Sequence, residues 1–341
     1  MRSSILSFEH FQHYATLPRS EKLWHGWAAI LLVLVAVLGL KVPELVYGKY
    51  GYKQETRSTA AVAALSPETQ VLFIGSSHVQ WGIRPERYSL NVMNLAGPVQ
   101  NYACAERLVE KHIGRVPNLK VAVIELDEVP LIANTLAALD KDFRPLLELG
   151  LSPYDLPTHN VLTKLKAALY PILTLPRVTP IELISNRTVK HPALPTQYFA
   201  AGYVYTEAVM APDYNPKPRL LGYTWAAQDR HMVQQNLQAL QRMIDLLRSR
   251  GITVVLLRLP HHALYRRNRP AVLRAQVDLI KRSVNRRYSA DRQLLIWDLG
   301  DAHGFEIHDF FDAEHLNVSG ANKLALILDS KLRALCALSR Q

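Results

Sequence analysis

The chain has 341 residues, enough for one large buried core or two small ones, and 49% of them are hydrophobic, as in ordinary folded proteins. Its formal charge of +11 predicts an anionic neighbour such as phospholipid headgroups, an acidic polymer or nucleic acid. No helix-turn-helix, zinc-finger or RNA-binding pattern occurs, so we predict no nucleic-acid partner. The two cysteines, Cys104 and Cys336, form neither a disulfide framework nor a metal-ligand pattern, and we predict no metal and no cofactor.

One long apolar segment near the N-terminus interrupts this ordinary composition. From Trp24 to Leu40 the chain reads WHGWAAILLVLVAVLGL, close to the roughly 20 residues of a membrane-spanning helix. Trp24, Trp27 and Tyr47 suit the two membrane interfaces. A cleaved signal peptide and a buried core helix are the alternatives, but no small-residue cleavage site follows the apolar core.

These features predict a membrane anchor ahead of a large domain. We expect an N-terminal tail over 1–22, one uncleaved transmembrane helix over 23–47, a linker over 48–66 and a catalytic domain over 67–341. Three Lys and Arg residues precede the apolar segment and four follow it closely, so the positive-inside rule does not orient the anchor.

Within the domain, short apolar runs alternate with amphipathic helical patterns. The predicted strands are Val71–Ile74, Val92–Leu95, Val121–Leu126, Ile252–Leu259 and Leu294–Trp297. The predicted helices are Tyr102–Ile113, Asp229–Arg250, Pro270–Tyr288 and Ser319–Leu338. In this interpretation Gly251 is a helix C′ glycine and Ser319 is an N-cap. The alternation predicts a doubly wound α/β domain with a buried parallel sheet.

A proline-rich insertion over about 140–226 breaks this repeat. Eleven of the twenty prolines lie between Pro145 and Pro218. So long an irregular segment is typical of a lid or a substrate-binding element over the strand ends. A packed structural excursion without a ligand is the alternative.

Three groups typical of acyl-transfer chemistry follow predicted strands or precede the last helix. The turn 75–77, Gly-Ser-Ser, follows the first strand, at the sheet edge where α/β enzymes collect catalytic groups. Gly97 follows the second strand and lets a backbone N–H approach a ligand. Asp312 and His315 are three residues apart, a spacing that lets a carboxylate orient a histidine base. Asp309 is the alternative to Asp312 as the carboxylate that orients the histidine.

On these residues the chain resembles the SGNH, or GDSL, hydrolase superfamily, from about Gln70 to the C-terminus apart from the proline-rich insertion. The resemblance implies an α/β fold with a flavodoxin-like parallel sheet. It also implies a catalytic triad in which Ser77 is the nucleophile, His315 the base and Asp312 the group that orients the base.

The resemblance further implies an oxyanion hole that includes the backbone N–H groups of Ser77 and Gly97. The third block of the family, G-x-N-D, supplies an asparagine donor, whereas this chain reads VAVIELDEV at that place. A carboxylate there, such as that of Glu125, would repel an oxyanion. The third donor either comes from elsewhere or is absent, and we predict Asn101, with Asn94 as the alternative.

An anchor followed by a G-[SD]-S-[HE] block is similar to extracytoplasmic proteins that modify surface polymers, including the alginate-type polysaccharide O-acetylation proteins and the teichoic acid D-alanylation protein. This likeness implies a periplasmic domain on the inner membrane, a membrane-bound O-acyltransferase as partner, and a polysaccharide or other cell-envelope polymer as substrate. The implied function is serine-dependent O-acetylation of that polymer. An SGNH esterase or deacetylase, and a non-catalytic binding subunit, are the alternatives.

Two further features complete the predicted site and surface. His78 and His261 follow predicted strands closely, and we predict that they contact the substrate. For the pair His261 and His262 a structural role is expected over a metal site, because no third ligand is near them in sequence. Between Tyr265 and Arg292 the chain carries many Arg and Lys residues, which predicts a surface for anionic lipid or an acidic polymer. A solvated helix face is the alternative.

Overall fold

The structure is a computed structural model that describes residues 65–97, 100–133, 196–198, 204–289 and 291–338, together with isolated helical positions at 27, 28, 31, 35, 161 and 165. The chain divides into two units, Met1–Gln54 with Leu169–Lys190 and Glu55–Ala168 with His191–Gln341. The predicted tail, anchor and linker fall almost wholly outside the described residues. Within the described part, no helix is long and apolar enough to cross a membrane.

The second unit contains seven described strands. They are β1 (Val71–Ile74), β2 (Val92–Asn94), β3 (Val121–Glu125), β4 (Thr196–Tyr198), β5 (Val204–Thr206), β6 (Thr253–Arg258) and β7 (Leu294–Asp298). Five of them form one parallel sheet in the order β2-β1-β3-β6-β7, and β4 and β5 form an antiparallel pair. Counted along the sheet alone this is the order 2-1-3-4-5 of flavodoxin-like folds. The predicted α/β parallel fold is confirmed.

The burial of the strands explains why their sequences are mainly apolar. Every residue of β1, β2, β3 and β6 is buried, whereas every residue of β7, at the edge, is at least partly exposed. Strands covered by helices on both faces are apolar at most positions, because water reaches neither face. Buried polar residues stand at strand ends, as Asn94, Glu125 and Arg258 do.

Eight described helices surround or flank the sheet. They are α1 (Ser77–Gly82), α2 (Tyr102–His112), α3 (Glu128–Ile132), α4 (Lys217–Ala226), α5 (Arg230–Ser249), α6 (Ala263–Asn268), α7 (Ala271–Tyr288) and α8 (Val318–Leu338). The α5 helix begins where the Asp229 side chain accepts the Met232 N–H, and it ends before Gly251, whose φ of +73° requires glycine. The predicted C′ glycine is therefore confirmed.

The start of the last helix differs from the prediction. Asn317, and not Ser319, caps α8: its side-chain oxygen accepts the Gly320 N–H at 3.2 Å, and its carbonyl accepts the Ala321 N–H. Ser319 lies inside the first turn and donates its hydroxyl to Asp309 at 2.7 Å. An N-cap must come one residue before the first helical residue, and the helix begins at Val318.

Because the five strands are parallel, the loops after β1, β2, β3 and β6 leave the sheet at the same edge. The loop before α8 contacts this edge, since the His262 N–H, after β6, donates to the Ala313 carbonyl at 3.1 Å. The fold thus collects residues from distant parts of the sequence at one place.

Candidate active site

The nucleophile turn links β1 to α1 and holds Ser77 at the first helical position. The Ser76 side chain caps the helix by accepting the His78 N–H at 3.4 Å. Gly75 has to be glycine here, because a Cβ would lie 2.5 Å from a Glu125 carboxylate oxygen. Ser77 is half-buried, and its N–H, as the first of the helix, has no acceptor within the helix.

A tight loop before α8 carries the predicted base. The Phe311 N–H donates to the His315 carbonyl at 2.8 Å, which closes residues 311–315 into a turn. Within this turn, one Asp312 oxygen accepts the backbone N–H groups of Glu314 and His315, each at 2.8 Å. These two hydrogen bonds hold the Asp312 carboxylate in place independently of its contacts with the imidazole.

The fold brings Ser77, His315 and Asp312 into one hydrogen-bonded chain. The Ser77 hydroxyl lies 2.8 Å from His315 Nε2, and His315 Nδ1 lies 2.9 Å from both oxygens of Asp312. Asp309 instead accepts from Ser319 and pairs with Lys323. This geometry lets His315 take the Ser77 proton while Asp312 holds the other ring N–H, as a nucleophilic triad requires.

The Arg219 guanidinium, on α4, supports the triad carboxylate from the solvent side. It donates to Asp312 at 2.9 Å and lies 3.4 Å from Glu314. Burial disfavours the charged form of Asp312, but the charges of His315 and Arg219 and the hydrogen bonds to it outweigh burial and hold its pKa well below the ordinary range. Asp312 therefore remains a carboxylate in the folded protein near neutral pH.

Beneath the triad lies a network of fully buried polar side chains, Ser76, His78, Glu125 and Glu314, which we call the buried network. Glu125 accepts the backbone N–H and the hydroxyl of Ser76. His78 lies between the two glutamates, with Nδ1 3.0 Å from Glu125 and Nε2 3.3 Å from Glu314. Glu314 also accepts the Tyr223 hydroxyl at 3.0 Å.

Two of the predicted oxyanion donors have other partners. The Gly97 N–H donates to the Gly75 carbonyl at 3.1 Å. The Asn101 amide donates to the Ala133 carbonyl at 3.1 Å, while its oxygen caps α2 by accepting the Cys104 N–H. In this structure neither group is presented to the Ser77 hydroxyl as a donor, and the assignments of Gly97 and Asn101 to the oxyanion hole are corrected accordingly.

The alternative donor Asn94 is also engaged, because its amide donates to the Val79 and Ile83 carbonyls, each at 3.2 Å. Of the predicted oxyanion donors, the Ser77 N–H is thus the one that remains available, because the first N–H of a helix has no acceptor within the helix. Gln100 lies in the same loop as Gly97, is 2% exposed, and has an amide without a hydrogen-bond partner in the described part of the chain.

His78 and His261 do not have the position of substrate-binding residues. They are 2% and 1% exposed, and their rings pack edge to face at 5.3 Å below the triad. The prediction that they contact substrate is wrong, because both strand ends from which they come are covered by the loop that carries His315.

One group among the described residues comes close enough to share a cation: His78, Asp127 and His261, whose ligand atoms lie within 4.8 Å of one another. His261 Nε2 and Asp127 Oδ2 are 3.1 Å apart without an aligned hydrogen bond. Both nitrogens of His78, however, already face glutamate oxygens. Coordination would require His78 to exchange a glutamate for the ion, so the geometry does not fit a metal and we assign none.

An aromatic wall borders the triad on the accessible side. The rings of Trp81 and Phe311 stack at 4.8 Å, and the Trp81 ring lies 5.6 Å from the His315 ring. Both side chains are partly exposed. Aromatic faces of this kind bind acyl chains or the apolar faces of sugar rings.

Sequence reasoning missed Arg219 and Tyr223 and misjudged Glu125. No pattern in the proline-rich insertion links Arg219 to Asp312, 93 positions away. Glu314 was open to prediction, since a third charged residue between Asp312 and His315 on so short a loop has to be paired when the loop is buried.

No protein-family model matches this chain, and no curated protein matches it significantly. Among solved structures, it is similar to a GDSL-like lipase from Bacteroides thetaiotaomicron, with 11% identity, 82% of this chain and 98% of that chain covered, and a TM-score of 0.39. It is also similar to a carbohydrate acetylesterase family member from Sinorhizobium meliloti, with 10% identity, 79% and 99% covered, and a TM-score of 0.36. At such scores the likeness does not decide the function. The function has to be inferred from the chain's own residues.

Proposed function

We propose that this protein is an SGNH-type serine enzyme that breaks or transfers acyl esters through a covalent acyl-Ser77 intermediate. The observation that carries the proposal is the continuous hydrogen-bonded chain from Ser77 through His315 to Asp312. Such a chain requires three side chains from two distant loops to meet within hydrogen-bond distance, and a binding subunit has no use for it.

The reaction proceeds in two steps on these residues. His315 Nε2 takes the Ser77 hydroxyl proton while the oxygen attacks the ester carbonyl, and the Ser77 N–H donates to the oxyanion. Collapse of the tetrahedral species expels the alcohol, which takes the proton from His315 and leaves acyl-Ser77. A second hydroxyl, from water or from a sugar, gives its proton to His315 and attacks the acyl carbon. The second tetrahedral species then collapses, and the Ser77 oxygen leaves with the proton from His315.

Turnover of a small activated ester, such as p-nitrophenyl acetate, by the full-length protein tests this function. Ser77→Ala should lower kcat/KM by about 10⁴-fold or more, because no other group replaces the nucleophile. Ser289→Ala, an exposed serine, is the matched control and should behave as the wild type. Equal turnover by the Ser77→Ala and wild-type proteins would refute the proposal.

We further propose that the acyl acceptor is a hydroxyl of an exported polysaccharide and that a membrane-bound O-acyltransferase supplies the acyl group from across the inner membrane. The apolar segment from Trp24 to Leu40 supports a membrane-anchored domain. The likeness of an anchor followed by a Gly-Ser-Ser-His block to extracytoplasmic polymer-modifying proteins supports its periplasmic side. The aromatic wall of Trp81 and Phe311 supports a sugar-binding site beside the base.

Competition between acceptors separates transfer from hydrolysis. The protein is mixed with an acetyl donor and cell-envelope oligosaccharides, and the acetylated sugar and the free acetate are both measured. An excess of acetylated sugar supports transfer. Free acetate alone identifies the alternative esterase or deacetylase, which the same triad would serve.

Polymer binding distinguishes the third possibility, a binding subunit. Polysaccharide retention that is identical in the wild-type and Ser77→Ala proteins, with no ester turnover in either, would identify such a subunit. Topology reporters fused to the C-terminus test the periplasmic location separately.

A further inference from the structure

One buried imidazole lies between the two loops that carry the triad. His78 is 2% exposed, and each ring nitrogen faces a carboxylate oxygen: Nδ1 lies 3.0 Å from Glu125 and Nε2 lies 3.3 Å from Glu314. A neutral imidazole has one N–H and can donate to one of these carboxylates, whereas an imidazolium donates to both. The arrangement therefore favours the charged form.

Each glutamate is in turn attached to one half of the triad. Glu125 accepts the N–H of Ser76, the residue immediately before the nucleophile, together with its hydroxyl. Glu314 immediately precedes the base His315. The path Ser76–Glu125–His78–Glu314 thus connects the nucleophile turn to the base loop by a second route besides the Ser77–His315 hydrogen bond.

The charged and titratable groups facing His78 come from three elements. They are Glu125 at the end of β3 with Asp127 after it, Glu314 and His315 on the base loop, and His261 after β6. Burial opposes a charge on His78, but the hydrogen bonds to Glu125 and Glu314 and the nearby carboxylates outweigh burial and raise its pKa well above the ordinary value. Burial lowers the pKa of His261, which stays neutral.

We infer that His78 is a positioning residue that holds the Ser77 hydroxyl and His315 Nε2 in line by donating to Glu125 on one side and to Glu314 on the other. We call the two contacts of His78, with Glu125 and with Glu314, the bridge. The effect of the bridge on catalysis rests on the proposed function, whereas the bridge itself rests on these contacts. Ser77 and His315 are 238 positions apart in sequence, so no local structure fixes their 2.8 Å separation. The bridge supplies that constraint.

The position of His78 also has an electrostatic consequence. Its ring lies 5.1 Å from the His315 ring, so a positive charge on His78 repels the positive charge that the base gains during the reaction. At this distance removal of the charge should shift the acid limb of the kcat/KM pH profile upward by about one pH unit. A residue with only a packing role would lower stability or kcat without moving that limb.

Two conservative variants divide the bridge into its halves. In His78→Asn the amide reaches the place of Nδ1 and can bond Glu125, and in His78→Gln it reaches the place of Nε2 and can bond Glu314. Each should lower kcat for the small ester by about 10- to 100-fold, because misplacement of the reacting groups by about 1 Å has effects of this size. KM should change little, since His78 does not contact substrate.

His78→Leu, which has neither donor, should be the least active of the three variants, and both conservative variants should move the acid limb upward. His303→Gln, on an exposed histidine, is the control and should leave kcat and the pH profile unchanged. Equal losses in all three His78 variants with an unmoved acid limb would overturn the inference.

An observation that does not depend on activity tests the bridge when a variant fails to fold or the wild type shows no turnover. In ¹⁵N-histidine spectra of the wild-type full-length protein, one histidine should keep both ring N–H signals at pH 8, and these should vanish in His78→Gln. A neutral His78 at that pH would contradict the bridge, and so would one equivalent of bound metal that His261→Ala removes. Absent turnover with intact signals would refute the proposed function and leave the bridge standing.

Discussion

The buried network below the triad and the basic surface of α6 and α7 are both rich in charge, yet they differ in what the charges do. In the buried network His78, Glu125 and Glu314 are at most 2% exposed, and each makes defined hydrogen bonds. The basic surface, by contrast, has five exposed arginines on the two helices and a sixth in the loop after α7. They are Arg267, Arg274, Arg282, Arg286, Arg287 and Arg292.

This difference shows that the environment of a charge, and not its presence, decides its effect. Water screens exposed ion pairs, so their individual contributions to stability are small. A buried charge whose partner is removed has no water to replace it, and the protein loses stability accordingly. We therefore expect mutations in the two regions to have effects of very different size.

The largest loss of activity should come from Asp312→Asn, in the triad above the buried network. Asparagine preserves the shape of the side chain but favours the wrong tautomer of His315, and a loss of about 10⁴-fold in kcat is expected. Ester turnover near neutral pH measures it, with Asp309→Asn as the neighbouring control. A larger loss in the Asp309 variant would show that the wrong carboxylate has been assigned.

Glu125→Gln should destabilise the protein strongly, because it removes one partner of the buried His78 bridge. We expect a decrease of about 3–5 kcal/mol in the free energy of unfolding, as found when one member of a buried charge pair is deleted. Urea denaturation measures it. As a control, Glu110→Gln removes an exposed ion pair with Arg107 and should change the free energy of unfolding by less than about 1 kcal/mol. Similar values for the two variants would contradict the difference expected between buried and exposed charges.

Acid should destabilise the fold by protonating the buried carboxylates of the site, which lose their charge at lower pH than ordinary carboxylates do. The pKa values of Asp312 and Glu314 are lowered from ordinary values of 3.8 and 4.5, so their contribution to stability is complete above about pH 5 and is lost as pH falls toward the lowered values. The wild type should therefore lose more melting temperature between pH 5 and pH 3 than Asp312→Asn. Equal losses would contradict the assigned pKa shift.

The smallest effect is expected on the basic surface. Arg287→Gln removes an exposed ion pair with Asp245 and should leave ester turnover unchanged. If the surface binds an anionic lipid or polymer, the same variant combined with Arg282→Gln should weaken retention on anionic vesicles or acidic polymer at low salt. Unchanged retention would identify a solvated helix face.

Much of the fold followed from local patterns. The run VLFI predicted β1 because a strand buried on both faces is apolar at most positions, and Gly251 ended α5 because few other residues adopt its φ. The order of the Ser77 turn and of the Asp312–His315 pair along the chain predicted that these residues meet, and the structure brings them together.

What the sequence did not show depends on distant contacts. The partner of the Gly97 N–H is a carbonyl on the adjacent strand end, which only the sheet register determines. Glu125 was expected to repel an oxyanion, whereas it is turned toward Ser76 and His78. Asn101 was the exception: an asparagine immediately before an amphipathic helix is a typical N-cap, and this local pattern predicts the role it has.

A covalent intermediate at Ser77 is the central step of the proposed reaction. Full-length protein would be mixed with an activated acetyl ester, quenched in acid during turnover, and analysed by intact mass and peptide mapping, with Ser77→Ala and Ser289→Ala beside it. We predict one acetyl group on the peptide that contains Ser77, present in the wild type and Ser289→Ala and absent in Ser77→Ala. Ester turnover with no adduct on Ser77, or an adduct that persists in Ser77→Ala, would contradict the account.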